Sequence, residues 1–241
     1  MLKVQNKKDL EIKIESIPKH PNPKVELEQY STPATIAADI LWNAYNLGDI
    51  DNKNILDLGS GTGIFTIGSS LLNSKYSIGI DMDKQSVDLA IETAKSMEIE
   101  NYKFLNEDLN SFKSTTSNKP QSNQPTLNNV TTKDLNEAIV KYTIGPIDTL
   151  IQNPPFGSQF KAKKGSDRTF IQIAMSSSPV IYSFHMANTE SFLNNYFNDL
   201  GGKITHKFLY DFPIPKIYDF HTKDSKNVNV IVLRVENKNL N

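Results

Sequence analysis

The sequence of 241 residues contains no cysteine, which excludes disulfides and every zinc site built on thiolates. Its four histidines, at positions 20, 185, 206 and 221, are scattered without ligand spacing, so no bound metal is expected. Neither sign of charge is in surplus: 26 Lys and Arg stand against 27 Asp and Glu, for a net charge of −1. Bulk electrostatics therefore do not announce a nucleic-acid binder, and any such contact has to come from local basic patches. No apolar run approaches membrane-spanning length, and Met1 to Leu10 is too polar for a signal peptide. A soluble, cytoplasmic protein is expected. The length suits one large α/β domain, or such a domain with a small appendage.

What is present is organised in two parts, an N-terminal helical cap over 1–48 and an alternating region over 49–241. Leu10, Ile14 and Ile17 recur at helical spacing from Lys7 to Ile17, and Pro18, Pro21 and Pro23 end that helix in a stiff connector. Thr32 is a good N-cap, with Pro33 at the first helical position, for a helix whose apolar stripe is Ile36, Ile40, Leu41 and Ala44 and whose C-cap is Gly48. From Lys53 the pattern repeats strand, loop, helix. Strands are predicted over Asn54–Leu58, Tyr76–Ile80, Tyr102–Leu105, Ile147–Gln152, Val180–Phe184, Lys203–Tyr210 and Val228–Val235. Helices are predicted over Ile64–Asn73, Lys84–Met97, Thr169–Ser176 and Glu190–Leu200. Alternation argues a mostly parallel α/β sheet with helices on both faces. The helix-free link between the last two strands argues an antiparallel C-terminal hairpin at one edge. Seven strands so arranged resemble the class I methyltransferase, Rossmann-like, fold. Residues 110–143 interrupt the pattern; their Ser, Thr, Asn, Gln and Pro bias reads as a flexible polar insertion, either a tolerated surface loop or an RNA-contacting arm.

Two turns carry chemistry. Gly59, Gly61 and Gly63, with Thr62 between them, join a strand to a helix, where the backbone can bend sharply and approach a ligand. A dinucleotide fingerprint needs its third glycine one residue later, at the position of Ile64. The spacing favours S-adenosylmethionine instead. Asp81 closes the second strand about twenty residues on, where a carboxylate accepts from ribose hydroxyls. Asp108 closes the third, near the adenine edge. Asp57 is polar among apolar neighbours and suits orienting the glycine loop or the cofactor's amino group. Asp83 stands before a helix and reads as its N-cap.

The second turn is Asn153-Pro154-Pro155-Phe156, after the apolar run that ends the fourth strand. The prolines stiffen it and leave the Asn153 side-chain oxygen and the adjacent carbonyls as acceptors, while Phe156 offers a flat face. An amino group on a planar ring needs both. Lys161, Lys163, Lys164 and Arg168 lie on the glycine-punctuated loop that follows, as phosphate contacts or as solvated charge. Lys216, His221, Lys223 and Lys226, interleaved with Tyr218 and Phe220, sit in the hairpin link; they suit an RNA surface, or the aromatics pack beneath the hairpin.

From Lys24 onward, apart from the insertion, the chain resembles the archaeal and eukaryotic methyltransferase-like family that makes N6-methyladenosine in small-subunit ribosomal RNA. The resemblance rests on Leu27-Glu28-Gln29-Tyr30-Ser31-Thr32, Asp57 to Gly63, Asn153 to Gly157, Lys164-Gly165-Ser166-Asp167, Val180 to His185 and Tyr210-Asp211-Phe212-Pro213. It implies that Gln29 and Thr32 reach the cofactor, that Gly59, Thr62 and Ile64 line its methionine end, and that Asp81, with Met82 beside it, holds the ribose. It implies Asp108 and Leu109 at the adenine of the cofactor, and Asn153 and Phe156 at the target adenine, with the Pro154 carbonyl as a second acceptor. It further implies an RNA substrate and a small zinc-binding activator subunit that extends the sheet. Protein glutamine-N5 methylation, DNA adenine methylation and a non-catalytic cofactor-binding scaffold are the competing readings.

Overall fold

A computed structural model describes residues 4–23, 29–109, 145–156, 166–215 and 225–240. The predicted insertion lies outside them. Seven strands form one sheet: β1 (Asn54–Leu58), β2 (Tyr76–Asp81), β3 (Tyr102–Asn106), β4 (Thr149–Gln152), β5 (Val180–Met186), β6 (Gly202–Pro215) and β7 (Ser225–Asn237), in the order β3-β2-β1-β4-β5-β7-β6. β1 to β5 are parallel, while β7 runs antiparallel between β5 and β6. This is the class I methyltransferase arrangement that the alternating pattern predicted. Both hairpin strands run longer than the apolar alternation implied, because the ladder of paired residues continues past it, from Gly202–Asn237 to Pro215–Ser225.

Period-two alternation sends each strand's side chains to two cores. On one face, Ile55, Ile151, Tyr182, Phe184 and Val232 meet α1 (Lys7–Glu15), α2 (Ala34–Asn46), α3 (Ile64–Leu71) and α4 (Lys84–Ser96) through Leu10, Leu41, Phe65 and Val87. On the other, Leu58, Leu150, Ile181 and Leu233 meet α5 (Ser166–Ser177) and α6 (Glu190–Asp199) through Ile171, Ile173, Leu193 and Phe197. The N-terminal helices thus share the core of the sheet; Leu41 of α2 packs where a side chain on Gly68 of α3 would stand.

Helix ends follow local chemistry with one correction. Asn6 accepts from the Asp9 N–H and Asp83 from the Gln85 and Ser86 N–H groups, as N-caps do. Gly48 and Asp49 return their N–H groups to the carbonyls of Tyr45 and Ala44, which closes α2 in a Schellman motif. Thr32, however, does not cap α2. Pro33 occupies that position without a side-chain cap, its carbonyl accepting from Ile36 and Ala37, because the Thr32 hydroxyl is engaged elsewhere.

Candidate active site

The carboxyl ends of β1 and β4 lie side by side at the point where strand order reverses, the place at which open α/β sheets hold ligands. Leu58 pairs with Gln152, so the next residues, Gly59 and Asn153, leave neighbouring strands together. The two turns singled out in the sequence are therefore one locus.

The glycine loop is pinned to the end of β2. Gly59 and Ser60 donate to the Ile80 carbonyl at 2.8 and 3.0 Å, and Gly61 donates to Asp81 Oδ2 at 2.8 Å. Gly59, Gly61 and Gly63 all take positive φ, at 72°, 52° and 90°. A Cβ at Gly63 would stand 2.6 Å from the Phe104 ring, which also lies against Gly79 of β2. Phe104 therefore sets how closely the start of α3 approaches the sheet, a role that no sequence pattern exposed. At Gly61 the space is open.

Asp57 is fully buried and accepts both the N–H (3.0 Å) and the hydroxyl (2.7 Å) of Thr66, one turn into α3. It anchors the helix that follows the loop. Burial, helped by the nearby Asp81 charge, raises its pKa to about 7 against the opposing pull of Thr66.

Asp81 ends β2, with its carboxylate shared between the Gly61 and Asp83 N–H groups. Burial still pushes its pKa up from the ordinary value. Two further acceptor sites remain on such a carboxylate for a diol. Met82 beside it is exposed, and Ser60 Oγ is buried without a hydrogen-bond partner among the described residues. An open glycine bend, an orphaned hydroxyl, a carboxylate and an exposed thioether side by side fit a nucleoside with a polar tail. Thr62 and Ile64 are partly exposed at the same bend, and Gln29 is partly exposed in the stretch leading to α2.

Asp108 does not close β3, which ends at Asn106; it stands two residues beyond, exposed. Asn106 Nδ2 and the Glu107 N–H instead bind the Asp81 carbonyl, so the polar link between the ends of β2 and β3 is made by residues that the sequence reading passed over. Leu109 is buried against Leu58 and Ile80 in the second core. His20 was also passed over. Its Nδ1 accepts from the Asn22 N–H, which leaves the proton on Nε2, 3.3 Å from Asp83 Oδ1. The proline-rich connector is thereby fastened beside the Asp81 corner.

On the β4 side, Asn153 Nδ2 donates to Thr32 Oγ1 at 3.0 Å. Pro154 is buried, and Phe156 packs edge-on against the buried Phe212 of β6, with ring centroids 6.0 Å apart and planes at 86°. Behind the turn, Gln152 Nε2 donates to Ser183 Oγ (2.8 Å), which lies 2.7 Å from His185 Nε2. All three are buried, and burial lowers the His185 pKa to about 3, so its ring is neutral.

Of the basic residues, Lys161, Lys163, Lys164, Lys216, His221 and Lys223 lie outside the described residues, and of Lys226 only the backbone, in β7, is described. Arg168 places its guanidinium 5.0 Å from the ring centre of Phe192, on a stack that Phe192 makes with Tyr196. Among the described residues no group of three or more His, Asp or Glu could hold a metal, and no helix is long and apolar enough to cross a membrane.

Comparison with known proteins agrees with this geometry. A family model described as a methyltransferase domain matches residues 49–134. The protein MJ0284 of Methanocaldococcus jannaschii is 39% identical over 95% of this chain and 94% of its own length. The rRNA N(6)-adenosine-methyltransferase METTL5 of Danio rerio is 29% identical over 94% of this chain and 97% of its own. The crystal structure of PH1948 from Pyrococcus horikoshii superposes with a TM-score of 0.75 and 31% identity, covering 97% of this chain and 98% of that one. With a glycine bend and an Asn-Pro-Pro-Phe turn on adjacent strands of the matching sheet, the chain belongs to the archaeal and eukaryotic methyltransferase-like family that includes the METTL5-type rRNA N6-adenosine-methyltransferases.

Proposed function

We propose that this protein transfers a methyl group from S-adenosylmethionine to the exocyclic amine of an adenosine in small-subunit ribosomal RNA. The observation that carries the reading is the pairing of Leu58 with Gln152, which sets Asn153 beside the glycine bend. The names of the METTL5 relatives, similar over nearly the whole chain, support the RNA substrate.

When bound, S-adenosylmethionine supplies an electrophilic methyl on a sulfonium. Gly59 to Ile64 and Asp81 would hold it, with Met82 against its nucleoside. The adenine amine is a weak nucleophile because its lone pair is delocalised into the ring. Asn153 Oδ1 and the Pro154 carbonyl accept its two N–H bonds, which favours a geometry with the lone pair out of the ring plane. Phe156, braced by Phe212, stacks on the ring. Neutral Asn153 removes no proton in advance: the S–CH3 bond breaks as the N–CH3 bond forms, S-adenosylhomocysteine leaves, and the methylated amine then gives one proton to solvent, so the gain is positioning and electrostatics. The base has to leave its stack, so an unpaired or flippable adenosine is the substrate. A zinc-binding activator subunit would add a strand at a sheet edge, and among the described residues β3 and β6 are the two edges.

The test is incubation with methyl-labelled cofactor and, separately, small-subunit rRNA, duplex DNA and a peptide-release factor. Label recovered as N6-methyladenosine in the RNA is the expected result. Label only in DNA or on a glutamine would replace the reading with one of its rivals.

A further inference from the structure

Thr32 precedes a proline at the head of α2, where a hydroxyl ordinarily caps the helix. Here it does not: it is buried, and its oxygen accepts the Asn153 amide N–H across 121 residues of sequence. The two ends of the Asn153 amide have opposite chemistry, Nδ2 donating and Oδ1 accepting. An amine offered to this turn needs the acceptor. With Nδ2 turned towards Thr32, Oδ1 is the atom left for it.

From this geometry we infer that Thr32 is a positioning residue, which tethers the Asn153 side chain and fixes its amide plane at the end of β4. The inference rests on the functional reading above and deepens it. Pro33 reinforces the arrangement: it restricts the backbone of Thr32 to extended conformations, and its carbonyl, taking the Ile36 and Ala37 N–H groups, closes the helix start without the hydroxyl. Thr32 is thereby released from capping and held facing the end of β4. Without the hydroxyl, the Asn153 side chain loses its tether and turns about its last torsions, away from the position the amine needs.

The experiment compares Thr32→Val, Thr32→Ser and Asn153→Ala with the unaltered protein. Methyl transfer is measured to purified small-subunit rRNA, affinity by calorimetric titration with S-adenosylhomocysteine, and folding by thermal melting. Thr32→Val is expected to lower kcat roughly 100-fold, the scale of a misplaced reacting group, with the S-adenosylhomocysteine Kd within about twofold of the unaltered protein. Thr32→Ser, which keeps the hydroxyl, is expected to recover most of kcat. The Asn153 side-chain NH₂ resonances are expected to shift in Thr32→Val and to stay in place in Thr32→Ser. Two results overturn the inference while Asn153→Ala is inactive: an unchanged kcat in Thr32→Val, or a weakened Kd with kcat restored at saturating cofactor. An active Asn153→Ala would overturn the functional reading itself.

Discussion

Asp57, buried inside β1, holds the Thr66 backbone N–H and hydroxyl on a single carboxylate oxygen, so the strand before the glycine bend and the helix after it are joined beneath it. Because its pKa rises from the ordinary 3.8 to about 7 through burial, this carboxyl binds a proton more tightly in the native state than in the unfolded chain.

The contribution of Asp57 to stability is therefore expected to be largest at acid pH and to be lost as pH rises from about 4 to about 7. Asp57→Asn keeps an acceptor for Thr66 and removes the titration. The difference in urea midpoint between this variant and the unaltered protein should change steadily across that window in favour of Asn; a flat difference would refute the assignment.

Gly63 and Gly61 share a positive φ but not their surroundings. Alanine at Gly63 meets the Phe104 ring at 2.6 Å as well as the backbone strain, whereas alanine at Gly61 meets open space. Gly61→Ala is expected to cost about 1 kcal/mol of stability and Gly63→Ala at least 1 kcal/mol more. Trimming Phe104 to Leu should narrow that gap in a double-mutant cycle.

Arg234 of β7 is buried against Asp49, its Nε 2.7 Å from Oδ2, and the Tyr182 hydroxyl donates to the same oxygen at 2.6 Å. The tyrosine pKa is raised, first by burial and then by the aspartate. Asp49→Ala leaves the Arg234 guanidinium with only Glu236 and Thr205 as partners and is expected to destabilise by about 3 kcal/mol. Asp49→Leu with Arg234→Met, which removes both charges, should cost less than the single change. A double variant as unstable as Asp49→Ala would contradict this account of the pair.

Ser183→Ala removes the hydroxyl between Gln152 and His185 and is expected to cost about 1–3 kcal/mol in chemical denaturation, since two buried groups lose their partner. The folded pKa of His185, lowered to about 3, has the opposite pH sign to Asp57. Its contribution is present above about pH 6.5 and lost as pH falls, and His185→Gln should flatten that acid limb.

Much of this site was legible in the residue order because its decisive parts are local. A strand, a glycine bend and a helix are written consecutively, and so is a strand that ends on Asn-Pro-Pro-Phe. β1 spans the residues predicted, and Asp83 caps α4 as its position before an amphipathic run suggested. What could not be read are contacts between segments far apart in sequence. Thr32 has the composition of a helix cap, and only the fold reveals Asn153 as its partner. Phe104 alternates like any strand residue, and nothing in its neighbours says that two glycines lie beneath its ring. His20 sits in a proline-rich connector, where no periodicity marks a residue that will face Asp83. Asp108 lies two residues past the end of β3, because the strand stops at Asn106, whose amide and the following Glu107 N–H bind the Asp81 carbonyl.

The placement of β7 between β5 and β6 has a consequence for synthesis. β6 emerges from the ribosome first yet, among the described residues, has no strand partner until Ser225–Asn237 has followed it. Until then β5 offers a bare edge, and Asp49 waits for the arginine that neutralises it. Completion of the sheet is thus a late event that awaits closure of a single hairpin, and a nascent chain stopped before residue 225 holds the glycine bend and the Asn153 turn but not the strand that joins β6, with Phe212, to β5.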